Sequence, residues 1–459
     1  MAADIGGTLE RARALAARAE DEAAKQAYID ILRRDPTHLA ALNELGTLAF
    51  SGGFRSAART AYLQAVQHHP GDKIVRVNLA NLLREERDLA AARLHYEAAL
   101  AVDPDFPEAH RGLALVLNEL GLEGADRHWH RGFSGRSVVS KPYRGTGTGV
   151  PLLMLVSARG GNIPTQLWIS DRQFAVTAIY AEFHDPGLPL PPHALIVNAV
   201  GDADLCDAAL ACAEDIVARS GAPVINPPAR VRLTGRAENA RRLGTVEGVI
   251  APVTRRLSPA AILADDDLAF PILLRRPGFH TGRHFVRVDS RDALAPAIAA
   301  LAAEELLAIQ YLDARGPDGM ARKYRVMFID GAAYPLHLAI SADWKVHYFS
   351  AGMAGDAGHR EEERRFLEDM PSVLGSPAMA ALERIRGILG LEYGGIDFAL
   401  APDGSVLVFE ANATMVVFPP NPDPIWDYRR GAIDLVLKAA TRMLLRRADR
   451  TVFAAKKPD

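Results

Sequence analysis

The sequence predicts a multidomain protein, an all-α region of helical repeats followed by a mixed α/β and α+β region. Three observations carry that expectation. Pro36, Pro70 and Pro104 recur at a spacing of 34. After residue 150, short apolar runs alternate with amphipathic stretches, as strands alternate with helices around a sheet. Near the C-terminal end, YGGIDFALAPDGSVLVFEANATM (393–415) has the pattern of a hairpin that carries Asp397, Glu410 and Asn412 on one face.

Tyr28, Tyr62 and Tyr96 follow the same period, as do Ala24, Ala58 and Ala92. Leu45-Gly46, Leu79-Ala80 and Leu113-Ala114 repeat with them. A period of this length marks helix–turn–helix units that bury their apolar faces by stacking on one another. These positions resemble tetratricopeptide repeats over residues 5–125: a partial first repeat, two full ones (39–72 and 73–106) and a final helix or pair. The usual aromatic of the first helix is missing, with Leu42 and Arg76 in its place. The resemblance implies an all-α solenoid over 1–131 whose concave face holds a peptide or protein. Self-association or packing is the alternative use. Residues 132–150 are Gly- and Ser-rich and aperiodic, and read as a linker.

Composition narrows the function classes. The chain has 459 residues, enough for several domains, and a net charge of −3. That charge gives no bulk electrostatic case for nucleic acid or an anionic membrane. Two cysteines, Cys206 and Cys212, make neither a disulfide framework nor a metal-ligand pattern. The N-terminus lacks the apolar segment of a secretion signal, and no run approaches a membrane span. A cytoplasmic location is expected.

In the second region, PLLMLV (151–156) reads as a buried strand that runs into SARGGN (157–162), a strand-to-helix turn. Strand–helix alternation over 151–232 implies an α/β subdomain. The hairpin at 393–415 is the informative part. With Asp403-Gly404 as a two-residue turn, Leu400 faces Leu407, Phe398 faces Phe409 and Ile396 faces Ala411. On the other face Asp397 then sits opposite Glu410, with Asn412 diagonal to it. Like charges directly opposed across strands are destabilising. A hard divalent cation offsets the repulsion, because Mg²⁺ takes carboxylate and amide oxygens. A shared proton, or a plain exposed polar face, are the other readings. A second hairpin, KYRVMFIDGAAYPLHLAIS (323–341), turns at Asp330-Gly331. That turn pairs Tyr324 with His337 and Arg325 with Leu336, so Arg325 and His337 are expected on opposite faces.

The order of features resembles the ATP-grasp superfamily over residues 150–450. The specific part is Asp397, Glu410 and Asn412 in a D…E-x-N arrangement. Arg276-Pro277 stands where the family often has Lys-Pro, IQYLD (309–313) looks like its hinge, and YRV carries Arg325. The resemblance implies an α+β fold with a central subdomain over 233–309, a C-terminal one over 310–450 and a tail at 451–459. ATP would lie between the two subdomains. Gln310, Tyr311 and Leu312 would meet adenine, Asp313 the ribose, Arg236 and one of Arg275 and Arg276 the phosphates, with Pro277 favouring Arg276, and His280 the tip of a covering loop. Asp397, Glu410 and Asn412 would hold Mg²⁺. Arg in place of Lys at 236 and 276 is a departure, since its planar fork binds differently from a point charge.

Such enzymes phosphorylate a carboxylate with ATP and pass the acyl group to an amine or thiol. A site of acids, amide and arginines without a nucleophile suits that chemistry, which needs positioning and charge neutralisation. Arg325 is the candidate for gripping a carboxylate or the γ-phosphate, and His337 is a candidate site residue. Trp344, Lys345 and His347 are candidates for an acceptor pocket, and FPPNPDPIWDY (418–428) for its wall. EEERRFLED (361–369) reads as a solvated helix face. The expectation is a carboxylate–amine or carboxylate–thiol ligase acting on a peptide or protein docked by the repeats. A non-catalytic nucleotide-sensing scaffold and a phosphotransferase are its rivals.

Overall fold

The computed structural model describes residues 4–278, 282, 284–347, 351–419 and 421–454. It divides into two compact units that meet in sequence between Ser137 and Val138. Within the first unit the chain forms eight helices, α1 (Ile5–Ala17), α2 (Asp21–Leu32), α3 (Leu39–Ser51), α4 (Arg55–His68), α5 (Lys73–Glu85), α6 (Leu89–Val102), α7 (Pro107–Leu120) and α8 (Ala125–Phe133). They pack as successive antiparallel pairs, the architecture of tetratricopeptide repeats. The first repeat is complete rather than partial, because α1 and α2 make a full pair, and α7 and α8 make the last.

The periodic residues build this unit's core. Ala24, Ala58 and Ala92 are fully buried and the three tyrosines nearly so. The Tyr62 hydroxyl bonds Thr47 at 3.1 Å, and Tyr96 donates to Asn81 at 2.5 Å, the same contact one period on. Gly46 is required for the close crossing: a Cβ there would stand 2.6 Å from the Tyr62 ring. Asp72 and Asp88 cap α5 and α6 by accepting from Val75 and Ala91 backbone N–H groups.

The second unit begins with a mostly parallel sheet of β1 (Val138–Ser140), β2 (Val150–Val156), β3 (Phe174–Tyr180), β4 (Leu195–Asn198) and β5 (Val224–Ile225), in the order β1-β3-β2-β4-β5. The first strand pairs antiparallel with β3, so residues 138–140 of the expected linker form a sheet edge. Between β4 and β5 runs α9 (Asp207–Ala218). The chain passes from β2 to β3 through turns, so SARGGN does not lead into a helix.

Next come α10 (Pro228–Arg232), α11 (Arg236–Leu243) and β6 (Val249–Ile250). A small antiparallel sheet follows, with β7 (Thr254–Leu257), β8 (Ile272–Arg275), β9 (Phe285–Val288) and β10 (Leu306–Gln310) in the order β7-β10-β8-β9. It packs on α12 (Pro259–Leu263) and α13 (Leu294–Leu301) around its own core of Ile262, Leu274, Leu294 and Leu306. The larger sheet adds β11 (Ala321–Ile329), β12 (Ala332–Ser341), β13 (Tyr393–Leu400) and β14 (Val406–Asn412), in the order β12-β11-β13-β14-β6. Helices α14 (Ala357–Glu368), α15 (Met370–Leu389) and α16 (Arg430–Ala454) complete the unit.

The expected subdomain limits shift accordingly. Because β6 pairs with β14, the small sheet starts at residue 254 rather than 233. The parallel sheet is not a separate body either, since it shares one hydrophobic core with the larger sheet. Trp168 stacks on Tyr393 with ring centroids 4.8 Å apart. Asn226 locks the junction: its Nδ2 donates to the Tyr393 carbonyl at 2.7 Å and its Oδ1 accepts from the Tyr393 N–H at 2.9 Å. Asn226 holds a left-handed φ of 53°, a conformation that asparagine tolerates better than most side chains.

Candidate functional site

Two β-bulges decide which side chains meet. In the β13–β14 hairpin Leu400 pairs with Val406 and Phe398 with Val408, then the register shifts and Asp397 pairs with Glu410. The turn is longer than two residues, with Gly404 at φ 83° and its N–H on the Ala401 carbonyl. Phe409 is the extra residue. The expected partners of Leu400 and Phe398 are therefore wrong, yet the bulge restores the register below it. Asp397 opposes Glu410 and Ile396 opposes Ala411 as expected, while Asn412 stands opposite Gly395.

The second bulge lies in the β11–β12 hairpin. Val326 pairs with Pro335, but Arg325 pairs with His337, leaving Leu336 as the extra residue. Pro335 has no N–H for the ladder, which is where such an interruption is expected. The shift overturns the expected pairs Tyr324–His337 and Arg325–Leu336. It places Arg325 and His337 on one face rather than two. Since Arg325 also pairs with Asp397, the four residues His337, Arg325, Asp397 and Glu410 form one row across β12, β11, β13 and β14.

This row floors a cavity of about 470 Å³ between the large and small sheets. Its size is that of a small-molecule or cofactor site. Its described lining includes the apolar Leu243, Leu273, Ile309, Val408, Phe409 and Met415. It also includes five cations, Arg236, Arg275, Lys323, Arg325 and Lys345, against the two carboxylates Asp397 and Glu410. That excess favours an anionic occupant.

The repulsion between the two acids is offset by these cations. Arg325 grips Asp397 with Nε at 2.5 Å and its second nitrogen at 2.8 Å, and Lys323 reaches the same carboxylate at 3.0 Å. Burial alone would raise the Asp397 carboxyl; the charges of Arg325 and Lys323 outweigh it and hold it well below the usual carboxylate range. Arg236 bridges Glu410 at 2.5 Å and Asp204 at 3.2 Å. Asn412 gives its Nδ2 to Glu410 at 2.9 Å, while its Oδ1 accepts from the Thr414 N–H and hydroxyl.

Of the hinge residues, Gln310, Tyr311 and Leu312 line the cavity. Asp313 does not; its carboxylate is held by Arg315 at 2.5 Å. Arg276 does not line it either, and Arg275 takes its place. The reason is strand alternation: Ile272 and Leu274 point into the core, so Leu273 and Arg275 face the cavity. Burial, with Arg236 nearby, pulls the Arg275 guanidinium down to about 10. His280 lies outside the described residues. Burial first, and then the charge of Arg325, push the His337 imidazole well below its ordinary value, so it is neutral at neutral pH.

Trp344, Lys345 and His347 line the cavity, as does Phe418. The Trp344 ring meets Phe285 at 5.5 Å and Tyr311 at 6.3 Å, and Lys345 donates to the Phe285 carbonyl at 3.3 Å. This segment thus ties the large sheet to the small one. Glu363 is fully buried, not on a solvated face. It accepts from Arg429 at 2.5 Å and from the Tyr428 hydroxyl at 2.5 Å, pinning the Pro-rich segment.

Lys323 and Asp204 were not foreseen from the sequence. Lys323 had a signal, being two residues before Arg325 on the same strand face. Arg275 was the open alternative to Arg276, disfavoured only because Pro277 pointed to its neighbour. Asp204 lies in a loop and carried no signal.

The donor set suits a hard divalent cation that keeps sites for phosphate oxygens, since such ions need only one or two carboxylates. Asp397 and Glu410 supply these. Among the described residues no group of three or more His, Cys, Asp or Glu gathers as a metal site.

No protein-family model matches the chain, and no curated protein does. Among solved structures, a crystal structure of MamA is 19% identical and covers 27% of this chain and 72% of its own, with a TM-score of 0.26. MamA from Desulfovibrio magneticus RS-1, from residue 41 to its end, is 17% identical and covers 28% and 75%, at 0.27. A tetratricopeptide repeat protein from Parabacteroides merdae is 20% identical and covers 28% and 53%, at 0.27. The repeat architecture stands on the period and packing of the first unit itself.

Proposed function

We propose that the second unit is an ATP- and Mg²⁺-dependent ligase of the ATP-grasp kind. It activates a carboxylate as an acylphosphate and joins it to an amine or thiol. The observation that carries this reading is the row His337–Arg325–Asp397–Glu410 beneath a cation-rich cavity that also has apolar lining residues. Adenine would pack on the apolar residues beside Tyr311 and Leu312, where the chain leaves the small sheet. Triphosphate would be held by Arg236, Arg275 and Lys345. Asp397 and Glu410 would hold Mg²⁺, which supplies charge neutralisation at the phosphates. In the reaction a carboxylate oxygen attacks the γ-phosphorus and the bond to ADP breaks. The amine or thiol then displaces phosphate from the acyl carbon.

No acid or base on the protein need form a covalent bond, which suits a site without a nucleophile. Guanidinium groups held in place by carboxylates stabilise charge as it develops and need little reorganisation. The helical repeats would dock the peptide or protein that carries one reacting group.

The test is ADP release by the full chain over pooled acids, amines, thiols and short peptides, with product masses. The expected result is Mg²⁺-dependent ADP release and a condensed product, both lost in Glu410→Gln while the fold remains. A phosphorylated product without condensation would instead make the protein a phosphotransferase. Turnover by Glu410→Gln at the wild-type rate would remove Glu410 from the reaction.

A further inference from the structure

The two acids of the row already have counter-charges, and the two arrangements differ in kind. Arg325 lies directly across from Asp397, holds both carboxylate oxygens, and reaches the Val416 carbonyl at 3.4 Å. Lys323 adds a second cation on the same group. That pair is fixed by the sheet. Arg236 instead reaches Glu410 from another element, at the first position of α11, through one nitrogen on one oxygen. Its other nitrogen is on Asp204, which also accepts the Arg236 backbone N–H at 3.1 Å. The guanidinium therefore has an anchor that stays when Glu410 is released. Its side chain is only 11% exposed, so it cannot simply turn out to water.

Resting on the nucleotide reading above, we propose that Arg236 is a counter-ion latch that makes cation and nucleotide bind as one unit. In the arrangement seen here it occupies the Glu410 carboxylate. A divalent cation arriving alone must displace it and then face it at close range in a poorly solvated site. Phosphate oxygens remove that conflict, because they take the guanidinium and bind the cation as well. Glu410 is thus offered only when both ligands arrive. The consequence is positive coupling between the two ligands, reciprocal by thermodynamic necessity.

The experiment titrates Mn²⁺ alone into the full chain and reads the unbound ion by electron paramagnetic resonance. Wild type is expected to bind Mn²⁺ weakly and Arg236→Met at least tenfold more tightly. Adding Glu410→Gln to Arg236→Met returns binding to the wild-type level. Thermal melting gives a second readout: Mn²⁺ alone raises the melting temperature of Arg236→Met and not of wild type. Arg236→Gln, which keeps a polar head, serves if the Met variant does not fold. Equal Mn²⁺ affinity in wild type and in the folded Arg236 variant overturns the latch. If wild type fails to bind Mn²⁺ together with ADP, the nucleotide reading itself falls and the latch with it.

Discussion

At the scale of single residues, Asp397 is tightly constrained. It is 3% exposed and meets two cations. A buried charge that loses its partner costs about 3–5 kcal/mol, far more than a surface pair contributes. Arg325→Met is therefore expected to lower stability by about 3–5 kcal/mol in urea unfolding. The double variant Arg325→Met/Asp397→Leu should lose less than the two single changes together, since guanidinium and carboxylate go together and only Lys323 loses a partner. Strict additivity would contradict the coupling of the pair. His110 and His128 make a second tight pair, with Nδ1 atoms 2.8 Å apart. Burial, with His110 nearby, lowers the His128 imidazole to about 4 from an ordinary 6.5. A lowered folded value means that the unfolded chain binds more protons below pH 6.5. The associated stability is present above that pH and is lost as pH falls towards 4. Amide exchange in α7 and α8 should quicken over that window in wild type and less so in His128→Gln. An equal acid response in both would assign the effect elsewhere.

At the scale of elements, legibility followed periodicity. The 34-residue spacing was readable because every repeat uses the same Tyr and Ala positions for the same contacts, so the pattern adds up along the chain. The Asp397–Glu410 opposition was readable too, though by two offsetting errors: the turn is longer than two residues, and Phe409 bulges. The Arg325–His337 hairpin had only one such irregularity, so its error survived and the two residues were expected on opposite faces. A bulge moves every residue beyond it to the other face, and hydrophobic alternation cannot reveal it when both faces are buried, as along Val326–Ile329. Pro335 was the available signal. Deleting Leu336 should remove the extra residue and leave His337 opposite Arg325, still facing the cavity. Chemical modification of His337 by diethylpyrocarbonate, read by mass, should be blocked by nucleotide in wild type and in the deletion alike; protection in the deletion alone would contradict the bulge assignment.

At the scale of the whole molecule, the chain joins a repeat unit to a unit with a charged cavity. No helix among the described residues is long and apolar enough to cross a membrane. If the repeats dock a peptide substrate, they raise its effective concentration at the catalytic unit without adding a catalytic group. Removing residues 1–137 should then raise KM for a peptide substrate roughly tenfold or more and leave nucleotide affinity unchanged. Unchanged peptide kinetics would rule out substrate docking by the repeats. The central claim is that the row across the large sheet serves a nucleotide and its metal. The measurement that tests it most directly is calorimetric titration of ATP with Mg²⁺ into wild type and into Asp397→Asn/Glu410→Gln. The account predicts Mg²⁺-dependent binding to wild type that the double variant loses while its fold persists. Absence of binding to wild type, or equal binding to both, would contradict it.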